Sequence, residues 1–304
     1  MRTYLWGRLR PAVATLIGVG LVSVSAISCG QTDGTPAPVR STATSGAAST
    51  AASTSRVTGT SASAAGNPDY AELHASWEKS DFGPGVGLAL VPVGGGEVLT
   101  FGNQNQRVAW STIKVPLALA AQRNGSKQAL ISKAIINSDN DAALSLRESL
   151  GTPEEARTKV TAVLRDGGDD STAVVTIKAA DETFGLTEWK LADAATFAAH
   201  LPCMKDTDEI LTYMGEVNSN QQWGIESMTS PRVTTALKGG WGPADQGGYE
   251  VRQLGLITWK DGRELAVTMQ TYQPGQEMST GIAHLNEVAA WLDKNVAKLP
   301  RGKC

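Results

Sequence analysis

Histidine and cysteine are scarce in this chain of 304 residues, with three of each. His74, His200 and His284 stand far apart, and no cysteine–histidine cluster has the spacing of a zinc site, so the sequence offers no metal centre and asks for no cofactor. Charge imbalance is lacking too. The formal net charge is only -3 and the basic residues are dispersed, which argues against a nucleic-acid surface. Tryptophan is the exception to the thin aromatic content: of eight, seven lie from Trp77 onward, where large rings serve mainly as core anchors.

The ends of the chain suggest export. Arg2, Arg8 and Arg10 precede an apolar run from Ala12 to Ile27 that closes on small residues before Cys29. Residues 1–28 read as a lipoprotein signal peptide, the alternative being a transmembrane anchor for which the run is a little short. Ala26-Ile27-Ser28-Cys29-Gly30 resembles a bacterial lipobox, although Ala26 stands where leucine is commoner. That resemblance implies lipidation of Cys29 and attachment to the outer side of the cytoplasmic membrane. Residues 29–66 are almost wholly Ser, Thr, Ala, Gly and Pro, too poor in apolar surface to offset the entropy of ordering, and read as a disordered tether. Residues 67–304 are long enough for one well-buried core. With Cys29 assigned to lipid, Cys203 and Cys304 remain either as a disulfide pair in an oxidising compartment or as two separate thiols.

Within that domain the periodicity changes twice. A helix over 69–79 is followed by strands over 86–93 and 97–101 around Gly94-Gly95-Gly96, which predicts an antiparallel hairpin. Helical patterns then cover 110–121, 127–136, 141–150, 153–164 and 191–201. Strands return over 233–238, 253–259 and 263–272, and a helix over 279–295 ends the chain. Strands, then helices, then strands predict an α+β fold, in which an antiparallel sheet formed by both ends of the domain packs against a helical lobe.

Three motifs carry the chemistry. Ser111-Thr112-Ile113-Lys114 would place a hydroxyl and an amine on one helix face, the geometry of a nucleophile beside its base. Ser138-Asp139-Asn140 and Lys238-Gly239-Gly240 follow in order. From about Phe82 to the C terminus the chain resembles the serine β-lactamase and penicillin-binding-protein superfamily, most nearly the class A β-lactamases. Chemistry assigns the roles: Ser111 as nucleophile, and Lys114 as general base if burial and Lys238 depress its pKa. Ser138 would pass the proton to the leaving group, Asn140 would hold the substrate amide and Lys114, and Lys238 would orient Ser138 and lend positive potential. Ser111 Oγ is expected within hydrogen-bond reach of Lys114 Nζ. The resemblance further implies an oxyanion hole from the backbone amides of Ser111 and Trp241, with Gly239 and Gly240 lining the substrate. It implies peptidoglycan-like peptides, β-lactams or small esters as partners.

The chain departs from that pattern. Only 27 residues separate Ser111 from Ser138, which implies loss of helical material that normally walls the cleft. Gly239 stands where the superfamily carries Thr or Ser, removing a hydroxyl for a substrate carboxylate; Arg252 is the candidate to compensate. The Glu-x-x-Leu-Asn motif that activates deacylating water in class A enzymes is missing from residues 169–189, where Asp170, Asp181, Glu182 and Glu188 are the acids to hand. Acylation is therefore expected without efficient β-lactamase turnover. The alternative is a non-catalytic, lipid-anchored envelope binding or scaffold protein, in which Ser111 caps a helix and Ser138-Asp139-Asn140 is a turn and N-cap.

Overall fold

Alternation along the first strand sets the layers. Val86, Leu88 and Leu90 belong to one apolar cluster, while Ala89, Val91 and Val93 belong to another on the opposite face. A computed structural model describes residues 70–177 and 183–304. The expected signal peptide, the expected lipidation position Cys29 and the expected tether lie outside the described residues, as do Asp181 and Glu182.

Helix α1 (Ala71–Glu78) leads into the hairpin of β1 (Val86–Pro92) and β2 (Leu99–Gly102), in which Leu88 faces Phe101. After β3 (Arg107–Val108), a 3₁₀ turn over Trp110–Ile113 runs directly into α2 (Lys114–Arg123). The lobe continues through α3 (Gln128–Ile136), α4 (Asn140–Ser149) and α5 (Pro153–Asp166). Helix α5 starts sharply because Thr152 and Glu155 form a reciprocal capping box and Pro153 occupies the first turn. Strand β4 (Glu188–Trp189), α6 (Leu191–His200) and α7 (Asp208–Met214) follow. Strands β5 (Val233–Pro243), β6 (Tyr249–Trp259) and β7 (Glu264–Thr271) then complete the sheet, and α8 (Met278–Asn295) covers it.

The five-stranded antiparallel sheet has the order β2-β1-β7-β6-β5, so the chain's two halves meet where β1 pairs with β7. Its face toward α1 and α8 buries Leu73, Trp77, Leu285, Val288 and Leu292; each such burial contributes about 1.5–3 kcal/mol. The other face packs on the lobe, with the α6 residues Ala194, Ala195 and Ala198 against the sheet. The sheet is thus covered on both sides, and α1 and α8 form a third layer. No helix among the described residues is long and apolar enough to cross a membrane.

Two features exceed the periodic signal. Strands β3 and β4 form a two-residue ladder, Arg107 opposite Trp189, too short for alternation to show. Strands β5 and β6 run past their expected ends, pairing Gly239 with Gln253, Gly240 with Arg252 and Trp241 with Val251 in unbroken register. The paired glycines therefore form regular strand. A disulfide joins Cys203, just past α6, to Cys304, with Cα atoms 5.3 Å apart, and fastens the tail beneath the helical lobe.

Candidate active site

Trp110 enters the turn before α2 with φ +46°, and Thr112 Oγ1 donates to Ala109 O at 2.6 Å. The two features fold Ser111 into a tight corner at a helix start, where backbone N–H groups have no intrahelical partner. Gly240 of β5 abuts that corner. A Cβ on Gly240 would stand 3.0 Å from both Ala109 O and Ser111 N, so any larger residue would require strand or turn to give by a few tenths of an ångström.

Lys114 is 5% exposed and points from α2 to the loop ahead of α4. Its Nζ donates to Ser138 O at 2.6 Å and Asn140 Oδ1 at 2.7 Å, with Ser138 Oγ at 3.4 Å. Burial brings its pKa down to about 8, opposed in part by the Asp139 carboxylate. Ser138 itself sits at φ +56°, while Asp139 caps α4 by accepting Ala142 N at 2.7 Å.

Lys238 reaches the same serine from the sheet. It has no exposed surface, and its Nζ bonds Ser138 Oγ at 2.8 Å, Gln221 Oε1 at 2.5 Å and Gly239 O at 2.9 Å. Burial, and then repulsion from Lys114, drive its pKa well below the usual lysine value. Two buried amines thus converge on one hydroxyl.

Gln221 is a member of this cluster that local sequence reading missed. Fully buried in a 3₁₀ turn, it donates from Nε2 to Ile135 O and Ile136 O, and its Oε1 accepts from Lys238 Nζ and Gly239 N. All four bonding positions of the amide are used, linking the end of α3 to β5. A glutamine seventeen residues before Lys238 has no local signature; only the fold brings it there.

The expected residues separate into three groups. Ser111, Lys114, Asn140 and Trp241 line one cavity of about 360 Å³ between α2, α4, the 183–185 turn and β5. Ser138, Lys238, Gly239 and Gly240 stand behind that lining and position it. Arg252 belongs to neither group. It is 2% exposed, and its Nη1 donates to Arg107 O, Val108 O and Trp189 O, so it staples β6 to β3 and β4. The substrate-binding place expected for Arg252 is corrected on that ground: its Nη1 is held by backbone carbonyls outside the cavity, and its buried Nε has no partner. Burial lowers its pKa to about 10, which still leaves it charged at neutral pH.

The expected Ser111–Lys114 hydrogen bond is not formed, because Lys114 Nζ is drawn to Ser138 O and Asn140 Oδ1. Of the acids weighed, Asp170 and Glu188 are exposed and outside the cavity lining. Asp141, at the start of α4, is the carboxylate among the described lining residues. Asp169 is committed elsewhere, accepting from Trp189 Nε1 and the amides of Ser171 and Thr172. Among the described residues, no three His, Cys, Asp or Glu side chains gather as a metal-holding group.

A sheet built from both ends of the domain, with a lobe that delivers Ser-x-x-Lys and Ser-Asp-Asn to its β5 edge, is the fold of the serine β-lactamases. Solved structures match it over 74% to 76% of the chain. The TLA-3 extended-spectrum β-lactamase superposes with a TM-score of 0.60 at 13% identity, covering 74% of this chain and 98% of that one. A β-lactamase from Chitinophaga pinensis gives 0.59 at 16% identity, covering 76% and 100%. One from Burkholderia vietnamiensis gives 0.58 at 19% identity, covering 76% and 97%. No protein-family profile and no curated protein matches the sequence. The likeness is therefore one of fold.

Proposed function

We propose that this domain is a serine acyl-transfer enzyme, a hydrolase or acyltransferase working through an acyl-Ser111 intermediate on an amide or ester. The observation that carries this reading is the convergence of Lys114 and Lys238 on Ser138 beside the Ser111 corner. Neutral Lys114 takes the Ser111 proton as Oγ bonds the acyl carbon; as the bond from that carbon to the leaving nitrogen or oxygen breaks, Ser138 gives the leaving atom a proton and is reprotonated by Lys114. The Ser111 and Trp241 amides would receive the developing oxyanion.

Acylation is better supported than turnover, since Asp141 is the carboxylate that the described lining offers a deacylating water. Peptidoglycan-like peptides, β-lactams and small esters are the substrates in view. An envelope location with lipid on Cys29 belongs to the same reading and rests on the sequence alone; the mass of the native N-terminal peptide tests it. The competing reading is a binding protein that keeps the fold, favoured by the missing Ser111–Lys114 hydrogen bond.

A fluorophosphonate probe separates the two. The enzyme reading predicts one covalent adduct on the native protein and none on a folded Ser111→Ala variant. Absence of an adduct on native protein, or its persistence in the variant, sinks it.

A further inference from the structure

Lys114 lines the cavity, Lys238 stands behind its wall and Arg252 lies outside it. Each of those cations has its donors directed into the protein. Lys238 faces Ser138, Gln221 and Gly239; Lys114 faces Ser138 and Asn140; Arg252 faces the carbonyls of residues 107, 108 and 189. Gly239 adds no hydroxyl at the β5 end. A Cβ there would already stand 2.8 Å from the Trp223 ring, so indole fills the space beside it.

The walls continue that character. Ile113, Leu117, Leu144, Phe184, Trp241 and Pro243 supply the apolar lining, and Trp223 braces Trp241 edge-on with ring centroids 6.3 Å apart. Leu144 is 37% exposed, large apolar surface left at the cavity wall. Asp141 and Arg147 also line the α4 side, one charge of each sign. A carboxylate entering here would shed hydration and meet Asp141 as well as Arg147, whereas an apolar chain would exchange water for aliphatic and aromatic contacts.

We infer that the site takes an uncharged acyl donor with an apolar acyl chain, such as an alkanoyl or arylalkanoyl ester, and discriminates against substrates whose acyl chain ends in a carboxylate. This rests on the acyl-serine reading for its chemistry and on the lining for its selectivity. In acylation by such an ester, Ser111 Oγ bonds the acyl carbon as its proton passes to Lys114, and the ester C–O bond breaks; a phenolate leaves as the anion with the proton kept on Lys114, whereas an alkoxide receives that proton through Ser138 and leaves as the alcohol.

Two matched probe pairs test the inference on the full chain. 4-Nitrophenyl hexanoate and 4-nitrophenyl hydrogen adipate have six-carbon acyl chains and differ by a terminal carboxylate; nitrophenolate release and intact mass report acylation of Ser111. Hexananilide and adipic acid monoanilide, titrated into Ser111→Ala protein by calorimetry, report binding without reaction. The hexanoyl member of each pair should be favoured by about 10-fold or more, and Leu144→Lys should shrink that preference by about 3-fold or more. Equal or better use of the adipate compounds, binding of neither anilide, or a preference unmoved in Leu144→Lys overturns the inference. Preferential hexananilide binding without Ser111-dependent acylation would uphold the selectivity and defeat the acyl-enzyme reading instead.

Discussion

Lys114 gives its hydrogens to two firm acceptors, the Ser138 carbonyl and the Asn140 amide oxygen. A neutral amine has two N–H groups for those partners and one lone pair left over. Burial favours that neutral form, and the Asp139 carboxylate resists it, leaving a pKa of about 8. The base is therefore loaded with a proton below about pH 8 and competent above it. Asp139 also caps α4, and asparagine caps a helix about as well as aspartate. Asp139→Asn should keep the fold and remove the field that holds the proton on Lys114. The midpoint of the acylation rate against pH should move below that of the native protein; a midpoint that stays put or rises refutes the assigned cause. Ser-x-x-Lys and Ser-Asp-Asn were legible from the chain because both motifs are local in sequence. Gln221 and the inward turn of Arg252 were not, since each is fixed by partners on distant strands and helices.

Elements were readable where a period repeats and unreadable where it cannot. Helices α2 to α6 and strands β1, β6 and β7 carry enough alternation or helical stripe to be placed from sequence. Strands β3 and β4, at two residues each, carry none, although they create the backbone carbonyls that hold Arg252. The seven-residue α7 is likewise too short for a clear stripe. The Cys203–Cys304 bond adds a tie that neither alternation nor stripe reveals, closing a separation of 101 residues between the segment after α6 and the tail. Tethering so long a loop restricts the unfolded chain and stabilises the fold by about 3–5 kcal/mol. Cys203→Ser with Cys304→Ser should lower the urea-unfolding free energy by that order. No change in midpoint or slope would mean the bridge contributes nothing to folding.

Across the whole molecule, the sheet from both chain ends and the intervening lobe have one consequence for chemistry. They bring residues 111, 138 and 238 together at the edge strand β5, with lysines from two different elements sharing Ser138. The order of motifs made that convergence predictable, while the orientation of the donors emerged only from packing. Glycine at positions 239 and 240 shows the difference: both fall beyond the strand expected over 233–238, and the first departs from the superfamily's Thr or Ser. In the fold, one makes room beside the Trp223 ring and the other lets β5 touch the Ser111 backbone.

The central claim is that neutral Lys114 activates Ser111. Its most direct test is the second-order rate of covalent labelling of Ser111 by a neutral activated ester, followed by intact mass from pH 6 to pH 10. The account predicts a rate that rises with pH to a plateau through a midpoint of about 8, and that is lost in Lys114→Ala. A pH-independent rate, or the same rise in Lys114→Ala, would contradict it.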